Sequence, residues 1–179
     1  MRGDNLDLHV ATVASCKRTP RSPIWTAMPI ARIAHASDLS SLLALLAASE
    51  VSLAAEPLER AECIWRETLA QPGVHVFVSD ERDRIAATCM LITAPNLLRS
   101  GRRHGFLENV VTHPDLRGCG HGRAVIQAAL SHAWASDCHH VLMQSGRAAP
   151  RVHAFYEKLG FLPGPRTAYV AMRPADDGA

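Results

Sequence analysis

The chain has almost no excess of either charge: 19 Lys and Arg stand against 17 Asp and Glu, a formal net of +2 over 179 residues. That balance gives no electrostatic case for a nucleic-acid or membrane-surface partner, whose binding faces need a clear surplus of one sign. No stretch approaches the roughly 18 consecutive apolar residues of a membrane span. Cysteine is scarce and odd in number, at positions 16, 63, 89, 119 and 138, and no C-x-x-C pair occurs. A disulfide framework and a cysteine zinc site are therefore not expected, and a reducing, cytoplasmic setting fits best. Cys63 and Cys89 lie in apolar runs and are expected in the core. The histidines, the His139-His140 pair included, show no H-E-x-x-H or comparable spacing, so no metal is expected. Internal repeats and low-complexity segments are missing, as is the apolar core of a signal peptide in the first 28 residues.

What is present suits one domain with a sizeable core. Residues 1–28 are expected to form a flexible tail, with Met28 as a plausible initiator. The domain is expected over 29–174, and 175–179 form a polar end. Ile30–Ala34 predicts a first strand, and Asp38 an N-cap for a helix carrying Leu39, Leu42, Leu43, Leu45 and Leu46. Pro57 opens a second helix that stops at Pro72-Gly73. Val74–Val78 and Ile85–Thr93, joined by the charged turn 80–83, predict an antiparallel hairpin. Arg99, Arg102, Arg103 and His104 form a basic cluster before the next strand, read first as a solvated loop and second as a contact for an acidic ligand. Val141–Met143 predicts a buried strand, 152–159 a short helix stopped by Gly160, and 161–165 with 168–172 a final hairpin.

The organising stretch is 106–135, F-L-E-N-V-V-T-H-P-D-L-R-G-C-G-H-G-R-A-V-I-Q-A-A-L-S-H-A-W-A. Phe106–Thr112 reads as a strand, broken by His113-Pro114-Asp115. Gly118, Gly120 and Gly122 follow at intervals of two. Val125, Ile126, Ala129, Leu130, Ala133 and Trp134 then mark one face of a helix. A strand, a glycine turn and a helix N-terminus make an anion cradle, because glycines admit a ligand to the backbone while free N–H groups and the helix dipole face it. The helix opens with Gly122-Arg123-Ala124 rather than Gly-Lys-Ser/Thr, and the glycines come after a hairpin rather than early in a βαβ unit. P-loop and dinucleotide-binding readings both fail on that context.

V-V-T-H-P-D-L-R-G-C-G-H-G-R resembles the strand and Arg/Gln-x-x-Gly-x-Gly/Ala segment of the GNAT superfamily of acetyl-CoA-dependent N-acetyltransferases, with Arg117, Gly120 and Gly122 at the signature positions. V-H-A-F-Y-E-K-L-G-F, residues 152–161, resembles that family's second motif. The resemblance covers about 29–173. It implies an α/β fold with a mixed, mostly antiparallel twisted sheet of six to seven strands flanked by about four helices. One departure stands out: Ala149 occupies the position of an asparagine that in many members touches the pantetheine arm.

The resemblance also implies acetyl transfer from acetyl-CoA to a primary amine of a small molecule. Backbone N–H groups of Arg117, Gly118, Cys119, Gly120, His121, Gly122 and Arg123 would hold the pyrophosphate, with the two arginines adding charge. Cys119 is read as a turn residue rather than a nucleophile, since no base is paired with it. Backbone donors of Val110, Val111 and Thr112 would polarise the thioester carbonyl, a contribution of ~3 kcal/mol by analogy with oxyanion holes. Glu108 is expected as general base and Tyr156 as proton donor to the thiolate. Asn109 and Gln144 are placed on the substrate side; glutamine cannot take a proton and at most positions water or substrate.

G-F-L-E-N-V-V and A-F-Y-E-K-L-G-F most resemble the glucosamine-phosphate branch, so an amino sugar or aminoglycoside-like amine is the expected acceptor. The competing class is a non-catalytic acyl-CoA-binding domain; retention of both Glu108 and Tyr156 argues against it. A homodimer, joined through an exposed strand edge or the C-terminal hairpin, is the expected self-association.

Overall fold

The computed structural model describes residues 28–49, 54–146, 149–165 and 167–171. The expected tail before Met28, Met172 and the polar end lie outside them. Five strands form one sheet in the order β1-β2-β3-β4-β5. They are β1 (Ala31–Ile33), β2 (Val74–Glu81), β3 (Arg84–Ala94), β4 (Arg103–Thr112) and β5 (Cys138–Met143). Neighbours are antiparallel except β4 and β5, which run parallel around a helical crossover. The helices are α1 (Leu39–Ser49), α2 (Leu58–Ala70), α3 (His121–Ala135) and α4 (Pro150–Glu157). No helix among the described residues is long and apolar enough to cross a membrane.

Both faces of the sheet are covered, which is why β3 is an almost unbroken buried run rather than an alternation. On one face, Val125, Ile126, Ala129 and Ala133 of α3 pack on Phe77, Cys89, Leu91 and Leu107, with Phe155 and Tyr156 of α4 at the margin. On the other, Leu42, Leu45 and Trp65 of α1 and α2 pack on Val76, Val78, Ile85 and Val111. Each fully buried aliphatic chain contributes about 1.5–3 kcal/mol, so the sheet is the rigid platform for whatever its ends carry.

Four expectations change. The sheet has five strands, not six or seven: 161–165 and 167–171 are not strand, and Tyr169 and Val170 are exposed. Pro163 and Pro165 offer no N–H donors, so this stretch lacks the ladder a hairpin needs. Asp38 does not cap α1 from outside. It ends a 3-10 turn, Ala36–Asp38, that runs straight into α1, and its carboxylate accepts the His35 N–H at 2.7 Å and two N–H groups of Arg32. Cys63 is exposed, because α2 turns Ala61 and Trp65 inward and leaves Cys63 on the opposite face. Cys119 is disulfide-bonded rather than a free thiol.

Candidate active site

β4 carries the irregularity that matters. Thr88 pairs with Val111 and Met90 with Glu108, so the single residue Cys89 on β3 faces both Asn109 and Val110 on β4. This is a β-bulge, and Asn109 takes its strain with a φ of 52°. Asparagine is among the few side-chain-bearing residues that enter the left-handed region readily. The bulge resets the pleat. Leu107 before it and Val110 after it both face the α3 side, while Val111 faces α1 and α2. Glu108 pairs with Met90, which packs on the α1–α2 side, so Glu108 stands exposed on that face of the sheet.

The pairing of β4 with β5 stops at Leu107 and Met143. Beyond it, residues 108–112 have no β5 partner among the described residues, and the two strands part. Gln144 is exposed just past the end of β5, at the mouth of that opening. A 730 Å³ cavity runs along β5 and is lined by Trp134, Met143, Ser145, Tyr156 and Phe161. Glu108 does not line it.

β4 ends where the His113 N–H donates to Ala86 O at 2.8 Å, and His113 Nδ1 accepts from the Asp115 N–H, which ties this histidine into its own turn. The chain then turns through Gly118 and Gly120, with φ of 79° and 98°, into α3. No side chain caps α3 at Gly120. The first intrahelical bond there is Ala124 N–H to Gly120 O, which leaves the N–H groups of His121, Gly122 and Arg123 without a helical acceptor. A Cβ built on Gly122 would lie 2.9 Å from Thr112 Oγ1 and 3.7 Å from the Phe155 ring. The glycine turn, the end of β4 and α4 therefore meet at one point. The junction is close-packed, and only a residue without a side chain fits at 122. Arg117 is exposed and Arg123 half-buried beside it.

His121 is placed differently from its neighbours. Its side chain is buried against β2, with Nδ1 2.9 Å from Ser79 Oγ and Nε2 3.5 Å from Glu81 Oε2. Burial holds its imidazole below the ordinary histidine value, while Glu81 and then Asp80 pull the other way. Only its backbone N–H can join the cradle. Ser79 and Glu81 escaped the sequence reading because nothing local marks a contact across 42 residues.

Tyr156 packs edge-on against Phe155 and Phe161 at the rim of the α3 core, next to the end of β5. Ala149 is the N-cap of α4 and makes no side-chain cap bond. The basic cluster lies at the other end of β4, where Arg102 pairs with Asp137 at 2.9 Å and His104 stacks near His140. It is remote from the bulge.

A parallel pair that parts beside a bulge, with a glycine turn leading into α3, marks a mixed α/β domain with an open strand edge at the end of β4. The acetyltransferase (GNAT) family profile matches residues 39–161. A glucosamine 6-phosphate N-acetyltransferase of Trypanosoma brucei brucei is 33% identical over 131 residues, 73% of this chain and 86% of that protein. A solved structure from Agrobacterium tumefaciens str. C58 is 37% identical with a TM-score of 0.74, covering 80% of this chain and 99% of the other. The glucosamine-6-phosphate N-acetyltransferase of Arabidopsis thaliana, 21% identical over 84% of this chain and 99% of its own, shares the fold at a TM-score of 0.68. The chain belongs to the GNAT acetyltransferase family and is an N-acetyltransferase. Members of this family use acetyl-CoA.

Proposed function

We propose that this chain transfers the acetyl group of acetyl-CoA to the primary amine of a phosphorylated amino sugar, with glucosamine 6-phosphate the first candidate. The observation that carries the reading is the end of β4–β5 pairing at Leu107 and Met143, directly before the bulge. On the β5 side it leaves the end of β4 without a strand partner among the described residues, where the glycine turn meets Thr112 at Gly122. The acceptor class rests on the identity to the trypanosomal enzyme across 86% of that protein's length.

Acetyl-CoA supplies an activated acyl group on a thiol that leaves readily. The chain's own work has three parts. The N–H groups at the start of α3, with Arg117 and Arg123, bind the pyrophosphate; the fit is supported by the lack of a helical acceptor for the N–H groups of 121–123 and by the absence of a side-chain cap at Gly120. Backbone N–H groups of Val110 and Thr112 polarise the carbonyl. Glu108 takes the proton of the amine, which arrives from the α1–α2 face where that carboxylate stands. A simple alkyl amine with a pKa of ~10.4 needs ~4.6 kcal/mol to be neutral at pH 7, so a base in this position matters. Tyr156 donates to the departing sulfur, a lighter task of ~2 kcal/mol for a thiol of pKa ~8.5. Asn109 and Gln144 line the acceptor side.

The test is thiol release from acetyl-CoA with a panel of amines, paired with a thermal shift by coenzyme A. Saturable release with glucosamine 6-phosphate, and less with glucosamine, supports the reading. A shift without turnover on any amine returns the chain to an acyl-CoA-binding domain. No shift defeats both.

A further inference from the structure

The buried histidine under the cofactor turn has a hydrogen-bond arrangement that the transfer reaction does not use. Ser79 Oγ has one hydrogen, and it donates that hydrogen to Ile30 O at 2.9 Å. Toward the ring, 2.9 Å away, Ser79 can therefore only accept, so His121 Nδ1 must carry a proton. The other ring nitrogen, Nε2, faces Glu81 Oε2 at 3.5 Å. A carboxylate offers no hydrogen, so in the singly protonated ring a lone pair looks at a negative oxygen. Only the imidazolium satisfies both contacts as a donor. The ring sits on the first residue of α3, one position before the glycine that borders the proposed cleft. It lines a 360 Å³ cavity with Pro29, Ile30, Arg32, Asp80 and Glu81, and Pro29 lies 3.4 Å from where a Gly120 Cβ would stand.

We propose that His121 is a positioning residue for the coenzyme A pyrophosphate: clamped between Ser79 and Glu81, it fixes the first turn of α3 so that its free N–H groups face the phosphates, and protonation of the ring completes the clamp. This inference rests on the acetyl-CoA site proposed above. The ring does not touch the cofactor. It acts through the orientation of its own backbone N–H and those of Gly122 and Arg123.

The groups around the ring set the sign of the pH effect. From β2 come Glu81 and Asp80; from β1 comes Arg32, already engaged by Asp38 and Asp80 at 2.7 and 2.9 Å. Arg84 stands opposite Glu81 on β3. On α3 and the turn before it lie Arg123 and Arg117, and at the end of β4 lie His113 and Asp115. Burial is the larger effect and holds the ring below the ordinary histidine value, while Glu81 and then Asp80 favour its charged form. Coenzyme A also brings negative charge to the first turn of α3. Binding therefore favours the imidazolium and is linked to proton uptake, so affinity rises as pH falls through the His121 titration.

The experiment measures Kd for coenzyme A by calorimetry between about pH 5 and 8 for the wild-type chain, His121→Asn and Glu81→Gln. Asparagine keeps one donor for Ser79 and cannot titrate. The ratio of variant to wild-type Kd removes the titration of the nucleotide phosphates, which both proteins share. The expected ratio for His121→Asn grows by about threefold to fivefold toward acid pH, the size of a charge lost at a helix terminus. The KM for acetyl-CoA should move with it and kcat less. Glu81→Gln, on the exposed partner, carries the same test if His121→Asn fails to fold, and its wild-type-relative ratio should also grow toward acid pH. Ratios flat with pH for whichever variant folds, even beside a lowered Tm, reduce His121 to a core residue and overturn the inference alone. A wild-type chain that binds no coenzyme A overturns the proposed function and this inference together.

Discussion

Gly122 and Thr112 face each other so closely that a single added Cβ would come within 2.9 Å of the threonine hydroxyl. The contact joins the start of α3 to the end of β4, the two halves of the proposed cofactor site. It predicts that Gly122→Ala overpacks the junction and costs about 1–3 kcal/mol of stability. Thr112→Ala removes the clashing oxygen, so the double variant should recover much of that loss in chemical denaturation. Simple additivity of the two would show that the residues do not meet.

Asn109 sits in the bulge with a φ of 52°. Asn109→Gly should keep the fold and the bulge, whereas Asn109→Val forces a β-branched residue into the left-handed region at a cost of about 1–3 kcal/mol. Because the bulge re-aims Val110, the valine variant should also lose turnover by more than its loss of stability accounts for. Equal stability of the two variants in thermal melts would contradict the assigned backbone.

In the proposed mechanism Glu108 and Tyr156 carry unequal proton burdens. Glu108→Gln is expected to lower kcat by about 10²–10⁴-fold, the usual range for a positioned base. Tyr156→Phe should slow turnover without abolishing it, since the leaving thiol asks for less. Steady-state thiol release reads both. A Tyr156→Phe enzyme with wild-type kcat would remove the proton-donor role, and an unaffected Glu108→Gln would remove the base.

Arg32 and Asp38 tie β1 to the turn before α1. The guanidinium hydrogen bonds of Arg32 come first among the causes that hold the Asp38 carboxyl below its usual value; burial opposes them, and the His35 N–H adds to them. The folded value is depressed, so the stabilisation is complete above the unfolded pKa of about 3.9 and is lost as pH falls through the folded value. Asp38→Asn should cost about 1–2 kcal/mol at neutral pH, the half-open arginine trimming the figure. The gap to wild type should close in acid. A gap that persists unchanged at low pH would rule the ion pair out as its source.

Much of this arrangement was readable from local pattern. The apolar spacing of Val125, Ile126, Ala129 and Ala133 foretold the buried face of α3, and the glycines foretold the uncapped turn before it. The bulge was not readable, because two residues facing one is a property of β3 and β4 together. Asn109 alone hinted at it, as a polar residue with a tolerance for positive φ inside an apolar strand. Tyr169 and Val170 look like strand residues, yet a strand needs a partner ladder, and Pro163 and Pro165 interrupt the approach. The clamp on His121 joins β2 to α3 through one serine and one glutamate with no local signature.

The most direct test of the account follows the acetyl group itself. The wild-type chain is given carbonyl-labelled acetyl-CoA and glucosamine 6-phosphate, and the products are resolved by NMR. The account predicts a labelled amide on the sugar nitrogen, formed at a rate that saturates with both substrates. Coenzyme A binding without any labelled amide, on this amine or on other amino sugars, would contradict it.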